Sequence, residues 1–420
     1  MSNKIIQRPK KEITSHILRN TILLVGNSIV FACILQIILT VSPLIIIEST
    51  NSITLASLAT AVVLSCDIPT NYHAGKLADT IGRKKTLLIG ILIGLAGLFT
   101  MTLSRLLRED NFYWLGLVIF GLSTGFFVLN RAAIMDMYPQ NRGKSLGYLQ
   151  TGSFIGSLMG PILISGITAL AIRFGKNYYD FLTFTCLPLL AFAGFLIFVI
   201  RIDTKIIAQS LENRGLHSEF NTNSSKEEPW TSVLQNKRDL LLAFVISSLS
   251  VVGVSIVYSL CPIFLNTLKI EIGWISFAVA LVGLGTGGVS ILSGKLSDKF
   301  GRKKTILAGA LIMGTGLFVF LLTQNYMIVS IASFLVGLGA GAVAIASTSM
   351  ICDMVAPRNR GKVFGANSLV INIFTFIFPP LAATLFTSIG PFSISILGIA
   401  LAAIVLLSLF FISQKSISTM

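Results

Sequence analysis

The sequence GKLADTIGRKKTLLIG at residues 75–90 returns at residues 294–309 as GKLSDKFGRKKTILAG. Eleven of the sixteen positions are identical, at an offset of 219. A second pair of stretches, DMYPQNRGKSLG at 136–147 and DMVAPRNRGKVFG at 353–365, repeats at nearly the same offset. Two independent matches at one spacing indicate that the chain is an internal duplication.

Apolar runs surround these repeats. The chain has 420 residues, of which 54% are apolar and 12% charged, whereas a soluble domain is about a quarter charged. This excludes a soluble enzyme, a disordered chain and a disulfide scaffold. Each run is long enough to cross a bilayer as a helix, which predicts an all-α integral membrane protein. The twelve runs lie at about 21–47, 53–74, 86–104, 112–134, 146–171, 179–201, 239–267, 274–293, 306–323, 327–350, 364–388 and 392–413.

The runs, numbered here as spans 1–12, form two sets of six. A polar segment separates the sets, which predicts an N-terminal six-helix bundle at 1–201, a cytoplasmic linker at 202–238 and a C-terminal six-helix bundle at 239–420. A parallel duplication of this kind suits a carrier whose halves swing about a central site.

The distribution of basic residues predicts the orientation. The net charge of +15 could suggest a nucleic-acid partner, but the Lys and Arg residues lie in short loops between spans. Segments on the side of the N-terminus carry 26 of them and the opposite loops carry five. Basic loops mark the cytoplasmic side. We therefore expect a multi-pass protein of the plasma membrane with both termini cytoplasmic, and no nucleic-acid partner.

The repeated loop carries chemistry that topology alone does not require. Gly75 is expected where the loop leaves span 2, and Gly82 permits a tight turn. Asp79 could accept backbone donors at the start of span 3, and Arg83 could pair with Asp136. This pattern favours a gate or brace, and a basic loop that only fixes the topology is the alternative.

These motifs resemble those of the major facilitator superfamily, and the resemblance covers essentially the whole chain. It implies two six-helix bundles around a central cavity, alternating access and a small-molecule substrate. We expect a monomer, because each chain carries both halves of its own site, and we expect no enzymatic activity. In the family this loop holds the inner side closed through a charge relay. The gating set that follows from it is Gly75, Asp79, Gly82, Arg83, Lys84, Asp136 and Arg142, with Gly294, Asp298, Gly301, Arg302, Asp353 and Arg360 in the second half.

Span 5 contains Gly147, Gly156, Gly160 and Pro161 in the pattern G-x8-G-x3-G-P. Glycines four apart let a neighbouring helix approach, and proline allows a bend. Ordinary small-residue packing is the alternative. The pattern resembles that of the superfamily's proton-driven antiporters, the drug exporters among them. The family pattern continues with a Gly pair where this chain has Ile164 and Ser165, and the exporters have an Arg where it has Leu117.

Two charged residues within spans are candidates for coupling or binding. Asp67 lies eight residues before Gly75, about 12 Å of helix rise from the end of span 2, and Pro69 is expected to bend the helix there. Asp67 and Arg131 align with Thr286 and Thr348 in the second half. Because scaffold residues should recur in both halves, we expect proton coupling or charge sensing. A hydrogen-bonded structural carboxyl is the alternative for Asp67, and pairing with Asp79 or Asp136 for Arg131.

Uncharged polar residues complete the candidate set. The resemblance implies a cavity lined by spans 1, 4, 7 and 10, which favours Asn27, Gln36 and Tyr258 as cavity residues. The chain has no GxxxxGK[ST] motif for ATP, so we expect an ion gradient, of protons, to drive it without a cofactor. The cysteines and the three histidines are scattered, which indicates no metal site.

These observations predict a secondary transporter, with proton-coupled efflux of small compounds as the leading function. Proton-linked or facilitated uptake of a sugar or another small metabolite is the alternative. A channel would need a repeated polar ring, and a membrane enzyme would need clustered catalytic or metal-binding side chains. The sequence offers neither pattern.

Overall fold

A computed structural model of the chain describes residues 10–138, 142–207, 237–355 and 360–412. Twelve segments within these residues are helical, long and apolar enough to cross a membrane. The predicted all-α class with twelve membrane helices is therefore confirmed. The continuous apolar faces explain why helices form here, since a helix satisfies every backbone donor and acceptor within itself.

The helices of the first half extend beyond the apolar runs, and two spans are interrupted. Span 2 breaks at Cys66 and Asp67, and span 4 breaks at Val128. The bounds are Lys10–Thr50 for span 1, Ile53–Ser65 and Ile68–Ile81 for span 2, Arg83–Leu107 for span 3, Asp110–Phe127 and Leu129–Met137 for span 4, Arg142–Arg173 for span 5 and Tyr178–Phe198 for span 6.

The second half repeats the pattern with continuous helices. Spans 7 to 12 are Lys237–Thr267, Ile272–Phe300, Arg302–Phe320, Tyr326–Met354, Arg360–Ile389 and Phe392–Phe411. A single glycine separates spans 2 and 3 and another separates spans 8 and 9. Gly82 and Gly301 have φ angles of 95° and 93°, which only glycine adopts readily. The repeated loop is therefore a one-residue turn in both halves.

The described residues pack as two compact units whose limits differ from the duplicated halves of the sequence. The first unit lies within Met1–Ile38 and Cys66–Ser225, and the second within Leu39–Ser65 and Lys226–Met420. In the second unit, the helix Ile53–Ser65 packs against spans 7 and 11, and Thr40 Oγ1 lies 3.3 Å from Ser276 Oγ. Parts of spans 1 and 2 thus share a core with the second half of the chain.

Candidate functional site

The loop between spans 2 and 3 holds an ion-pair network centred on Arg83. The Arg83 guanidinium places Nε 3.1 Å from Asp136 Oδ2 and Nη1 3.5 Å from Asp79 Oδ1. The Arg83 side chain is only 18% exposed, whereas that of Asp79 is 70% exposed. The structure therefore brings together the three residues of the predicted relay, with the Asp136 contact the more sheltered of the two.

A carboxylate that the sequence analysis missed caps the start of span 3. Asp203, which follows span 6, accepts hydrogen bonds from the backbone N–H groups of Arg83 at 3.2 Å and Lys84 at 2.9 Å. A negative charge at a helix N-terminus is stabilising because it faces unsatisfied donors and the positive end of the helix dipole. The role expected of Asp79 thus belongs to Asp203, because Asp79 lies on the last turn of the preceding helix.

Lys84 and Lys205 tie the same turn to the segment after span 6. Lys84 Nζ donates to the carbonyl oxygens of Phe198 at 2.8 Å and Ile200 at 2.6 Å, at the C-terminal end of span 6. Lys205 Nζ donates to the carbonyl oxygen of Asp79. These contacts fix the end of span 6 to the turn between spans 2 and 3.

The second half repeats the network around Arg302. Its Nε lies 3.1 Å from Asp353 Oδ2, and its Nη1 contacts Asp298 and lies 3.1 Å from Ser297 Oγ. Lys303 Nζ donates to the carbonyl oxygen of Ile412 at 2.6 Å, as Lys84 does at the end of span 6. The duplication in sequence is therefore a duplication of side-chain contacts.

The remaining gating candidates lie at different places. Gly75 and Gly294 lie inside helices, and a Cβ added at either would meet no atom within 4 Å. The expectation that Gly75 marks the exit from span 2 is wrong, because the helix continues for another turn and a half to Ile81. The side chains of Arg142 and Arg360 lie outside the described residues.

The glycines of span 5 form a contact face for span 1. A Cβ on Gly156 would lie 2.1 Å from the carbonyl oxygen of Ile29, and one on Gly160 would lie 2.7 Å from Gln36 Cγ. Such spacings leave room for hydrogen only, so both glycines permit close helix packing. A Cβ added at Gly147 would meet no atom within 4 Å, and Pro161 lies within the same helix.

A cavity of about 630 Å³ lies within the first unit, between spans 1, 2, 4 and 5. Asp67 and Arg131 both line it, so the cavity contains one acidic and one basic side chain. Phe31 and Phe127 give it an aromatic wall, with ring centroids 3.5 Å apart and planes 15° from parallel. Neutral polar side chains also face it, namely Ser28, Asn130, Gln150 and Ser153.

Asp67 stands where span 2 is interrupted. Asn71 Nδ2 donates to Asp67 Oδ2 at 3.0 Å, and Thr70 Oγ1 donates to the Asp67 carbonyl oxygen at 2.9 Å. Span 4 approaches this turn at Gly125, where a Cβ would lie 2.2 Å from Thr70 Oγ1. The half-buried carboxyl is therefore held on an interrupted helix at the cavity wall rather than on a regular one.

The uncharged candidates fall at three different places. Asn27 is fully buried and donates from Nδ2 to Asn130 Oδ1 at 3.2 Å, which orients a residue of the cavity wall. Gln36 is buried against Gly160 in span 5. Tyr258 packs against the hydrophobic core of the second unit. Of these three residues, Asn27 has a hydrogen bond to a residue of the cavity lining.

Two helix faces that line the cavity were accessible to sequence reasoning through helix periodicity. Ser28, Phe31, Ala32 and Leu35 follow an i, i+3, i+4, i+7 pattern on span 1, and Leu146, Leu149, Gln150 and Ser153 follow it on span 5. Residues spaced in this way share one helix face. Ser28 Oγ and Ser153 Oγ lie 2.7 Å apart where the two faces meet. The pattern predicts a shared face, although not which face borders a cavity.

Known proteins are similar to this chain along most of its length. A model of the Major Facilitator Superfamily matches residues 24–288 and 240–418. The uncharacterized MFS-type transporter YuxJ of Bacillus subtilis is 27% identical over 252 residues, which are 59% of this chain and 60% of YuxJ. The multidrug resistance protein MdtG of Dickeya zeae is 27% identical over 321 residues, 75% of this chain and 74% of MdtG.

A shorter match and two solved structures complete the comparison. The quinolone resistance protein NorA of Staphylococcus aureus is 28% identical over 137 residues, 33% of this chain and 35% of NorA. A D-xylose-proton symporter has the same fold, with a TM-score of 0.72 and 17% identity over 96% of this chain and all of that chain. The human organic anion transporter MFSD10 has a TM-score of 0.61 and 14% identity over 97% of this chain and all of its own.

Proposed function

The chain belongs to the Major Facilitator Superfamily of transporters, and on that premise we propose that it exports small amphiphilic compounds in exchange for protons. One observation carries the proposal. Asp67, a carboxylate within a membrane span, lines a cavity of about 630 Å³ that also has an aromatic wall. A carboxylate within the membrane is costly, so its presence there favours a functional role, and an aromatic wall suits amphiphilic molecules. The relatives named as multidrug and quinolone resistance proteins support export.

In this proposal Asp67 exchanges a proton for the substrate. A cationic or polar compound approaching Asp67 favours the ionised carboxylate, because opposite charges at short range stabilise each other. The proton then leaves, and its return displaces the compound on the other side of the membrane. Arg131 lines the same cavity and supplies its basic side chain.

The two arginine networks act as braces of the cytoplasmic side. Arg83 with Asp136, and Arg302 with Asp353, join the start of one helix to the end of another at 3.1 Å. An ion pair that is present in one conformation and absent in another shifts the equilibrium between them. The proposal also includes a monomer in the plasma membrane with cytoplasmic termini, driven by the proton gradient without a cofactor or enzymatic step.

Uptake of a sugar is the second candidate, and the neutral part of the cavity wall favours it. Ser28, Asn130, Gln150 and Ser153 supply hydroxyl and amide groups that could hydrogen-bond sugar hydroxyls. Under this alternative, Asp67 would take up the proton together with the sugar or would act as an acceptor for it.

Proton release from acid-loaded proteoliposomes distinguishes the two candidates. We would reconstitute the full chain, trap a pH-sensitive dye inside and add tetraphenylphosphonium, D-xylose or benzoate in turn. Export predicts that the cation makes the interior more alkaline and that Asp67→Asn abolishes this response. Asp180→Asn is the matched control. Asp180 pairs with Arg105 at 2.7 Å, and neither residue lines the cavity.

Three outcomes are informative. A response to the cation that survives Asp67→Asn would keep antiport and remove Asp67 from coupling. No response to the cation, combined with accumulation of labelled xylose in vesicles whose interior is more alkaline than the medium, would replace export with uptake. If Asp67→Asn and Asp180→Asn lost the proton response to the cation equally, this would indicate a folding defect, which circular dichroism of both variants would detect.

A further inference from the structure

A second cavity, of about 860 Å³, lies in the second unit where the start of span 9 meets the end of span 12. Lys303 and Lys304 line it together with apolar side chains that include Leu307, Phe410 and Phe411. Phe410 is 82% exposed and Phe411 52% exposed. The cavity therefore combines two cations with an open apolar surface at one end of two membrane spans.

The cations around this cavity are arranged by contacts with the protein. Lys303 Nζ donates to the carbonyl oxygen of Ile412 at 2.6 Å, which fixes the ammonium at the cavity edge. Lys304 is exposed. The Arg238 guanidinium lies 5.3 Å from the centroid of the Phe411 ring. Among the described residues, Asp298 and Asp353 pair with Arg302 rather than with either lysine, and one further acid, the buried Asp239, adjoins Arg238 in the chain.

The duplicated turn in the first half differs from the one in the second half because an acidic side chain contacts it. Lys84 occupies the position of Lys303, and there the Asp203 carboxylate accepts hydrogen bonds from the backbone of Arg83 and Lys84. In the second half, the sequence after Ile412 reads SQKSISTM and contains no acidic residue. In the first half, the GRKK motif is therefore contacted by the Asp203 carboxylate. In the second half, the segment that follows the last span supplies no acidic residue to the motif.

The geometry points to a binding site for one anionic phospholipid in this second cavity. The phosphodiester would lie at Lys303 and Lys304, and an acyl chain would lie along Leu307, Leu406 and Phe410. Basic pockets between membrane helices at the cytoplasmic face suit anionic headgroups, and lysine stems cover apolar surface while their charge reaches the headgroup. The site rests on the membrane-spanning fold and the predicted orientation, and is independent of the cargo and the direction of transport.

Native mass spectrometry of the full chain with an equimolar mixture of phosphatidylglycerol and phosphatidylcholine tests this site. We expect the protein to retain phosphatidylglycerol preferentially. Lys304→Gln should lower this retention about fivefold, because one lysine near an anionic lipid surface contributes a factor of about this size. Lys85→Gln, at the matching position of the first-half motif, should leave it unchanged. Phe410→Ala removes apolar surface without changing charge and should also lower retention. Circular dichroism checks that all three variants are folded.

Four results would overturn the site. Equal retention of the two lipids would show no selection for negative charge. An equal decrease in Lys304→Gln and Lys85→Gln would show a diffuse electrostatic effect. Competition by glycerol 3-phosphate at the same concentration would show a site for a free phosphate rather than for a lipid. A preference that arises only after deletion of residues 413–420 would show that the C-terminal segment, not a lipid, occupies the cavity.

Discussion

Asp203 and Gly82 depend on each other at the turn between spans 2 and 3. The Asp203 carboxylate approaches so closely that a Cβ on Gly82 would lie 2.5 Å from its Oδ2 atom. The carboxylate cannot move away without losing its two backbone hydrogen bonds at 3.2 and 2.9 Å. Gly301 has nearly the same backbone angles, but a Cβ there meets no atom within 4 Å.

We therefore predict that Gly82→Ala destabilises the protein more than Gly301→Ala. Both variants place a side chain at a backbone conformation that favours glycine, which costs about 1–3 kcal/mol. Gly82→Ala should lower the free energy of unfolding by about 1 kcal/mol more than Gly301→Ala does, because it also disturbs the Asp203 cap, and a helix cap typically contributes this amount. Melting temperatures in detergent, followed by circular dichroism, would measure the difference. In an Asp203→Ala background the two alanine variants should become equally stable, and a difference that persists there would contradict the coupling.

Span 5 illustrates how an element uses its glycines in different ways. Gly156 faces span 1, where a Cβ would lie 2.1 Å from a backbone carbonyl oxygen, and backbone cannot rotate away as a side chain can. Gly166 lies on the same helix, and a Cβ there would meet no atom within 4 Å. The two positions form a matched pair that separates helix packing from helix propensity.

Gly156→Ala should force spans 1 and 5 apart, at a cost of about 1–3 kcal/mol for overpacking, and should reduce transport because both spans line the candidate cavity. Gly166→Ala should be neutral or stabilising by about 0.5–1 kcal/mol, because alanine favours the helix. Thermal unfolding and transport assays on the two variants would measure these effects. Comparable losses at both positions would mean that span 5 needs flexibility rather than close packing.

Hydropathy predicted the elements well and their interruptions poorly. The twelve apolar runs correspond to the twelve spans, because a helix that crosses a bilayer needs about 20 consecutive apolar residues, a pattern that is easily recognised in a sequence. The break at Cys66 and Asp67 was expected only as a bend near Pro69. It lies where span 4 approaches at Gly125, and hydropathy does not report contacts between spans. Asp203 was missed because it lies 120 positions from Arg83 along the chain, and no local pattern reports such a contact.

At the scale of the whole molecule, the repeated arginine networks should contribute equally. We predict that Arg83→Gln and Arg302→Gln each lower the transport rate about tenfold, because each removes a sheltered, charged hydrogen bond worth about 1.5–3 kcal/mol. Arg105→Gln is the control, since its pair with Asp180 at 2.7 Å belongs to neither network. The rate of substrate-induced proton movement would measure the effect. Unchanged transport in Arg83→Gln would show that the first network serves stability alone.

The distribution of basic residues predicts the orientation of the whole chain. The side of the membrane with the termini carries 26 Lys and Arg residues against five in the opposite loops, and both arginine networks lie in loops of the basic side. Because basic loops remain on the cytoplasmic side, alkaline phosphatase fused after Lys176 or Lys269 should be exported and active. The same enzyme fused after Lys205 should stay inactive, while a green fluorescent protein there should fluoresce. Active phosphatase after Lys205 would invert the chain, and would place the arginine braces and the proposed lipid site at the outer face.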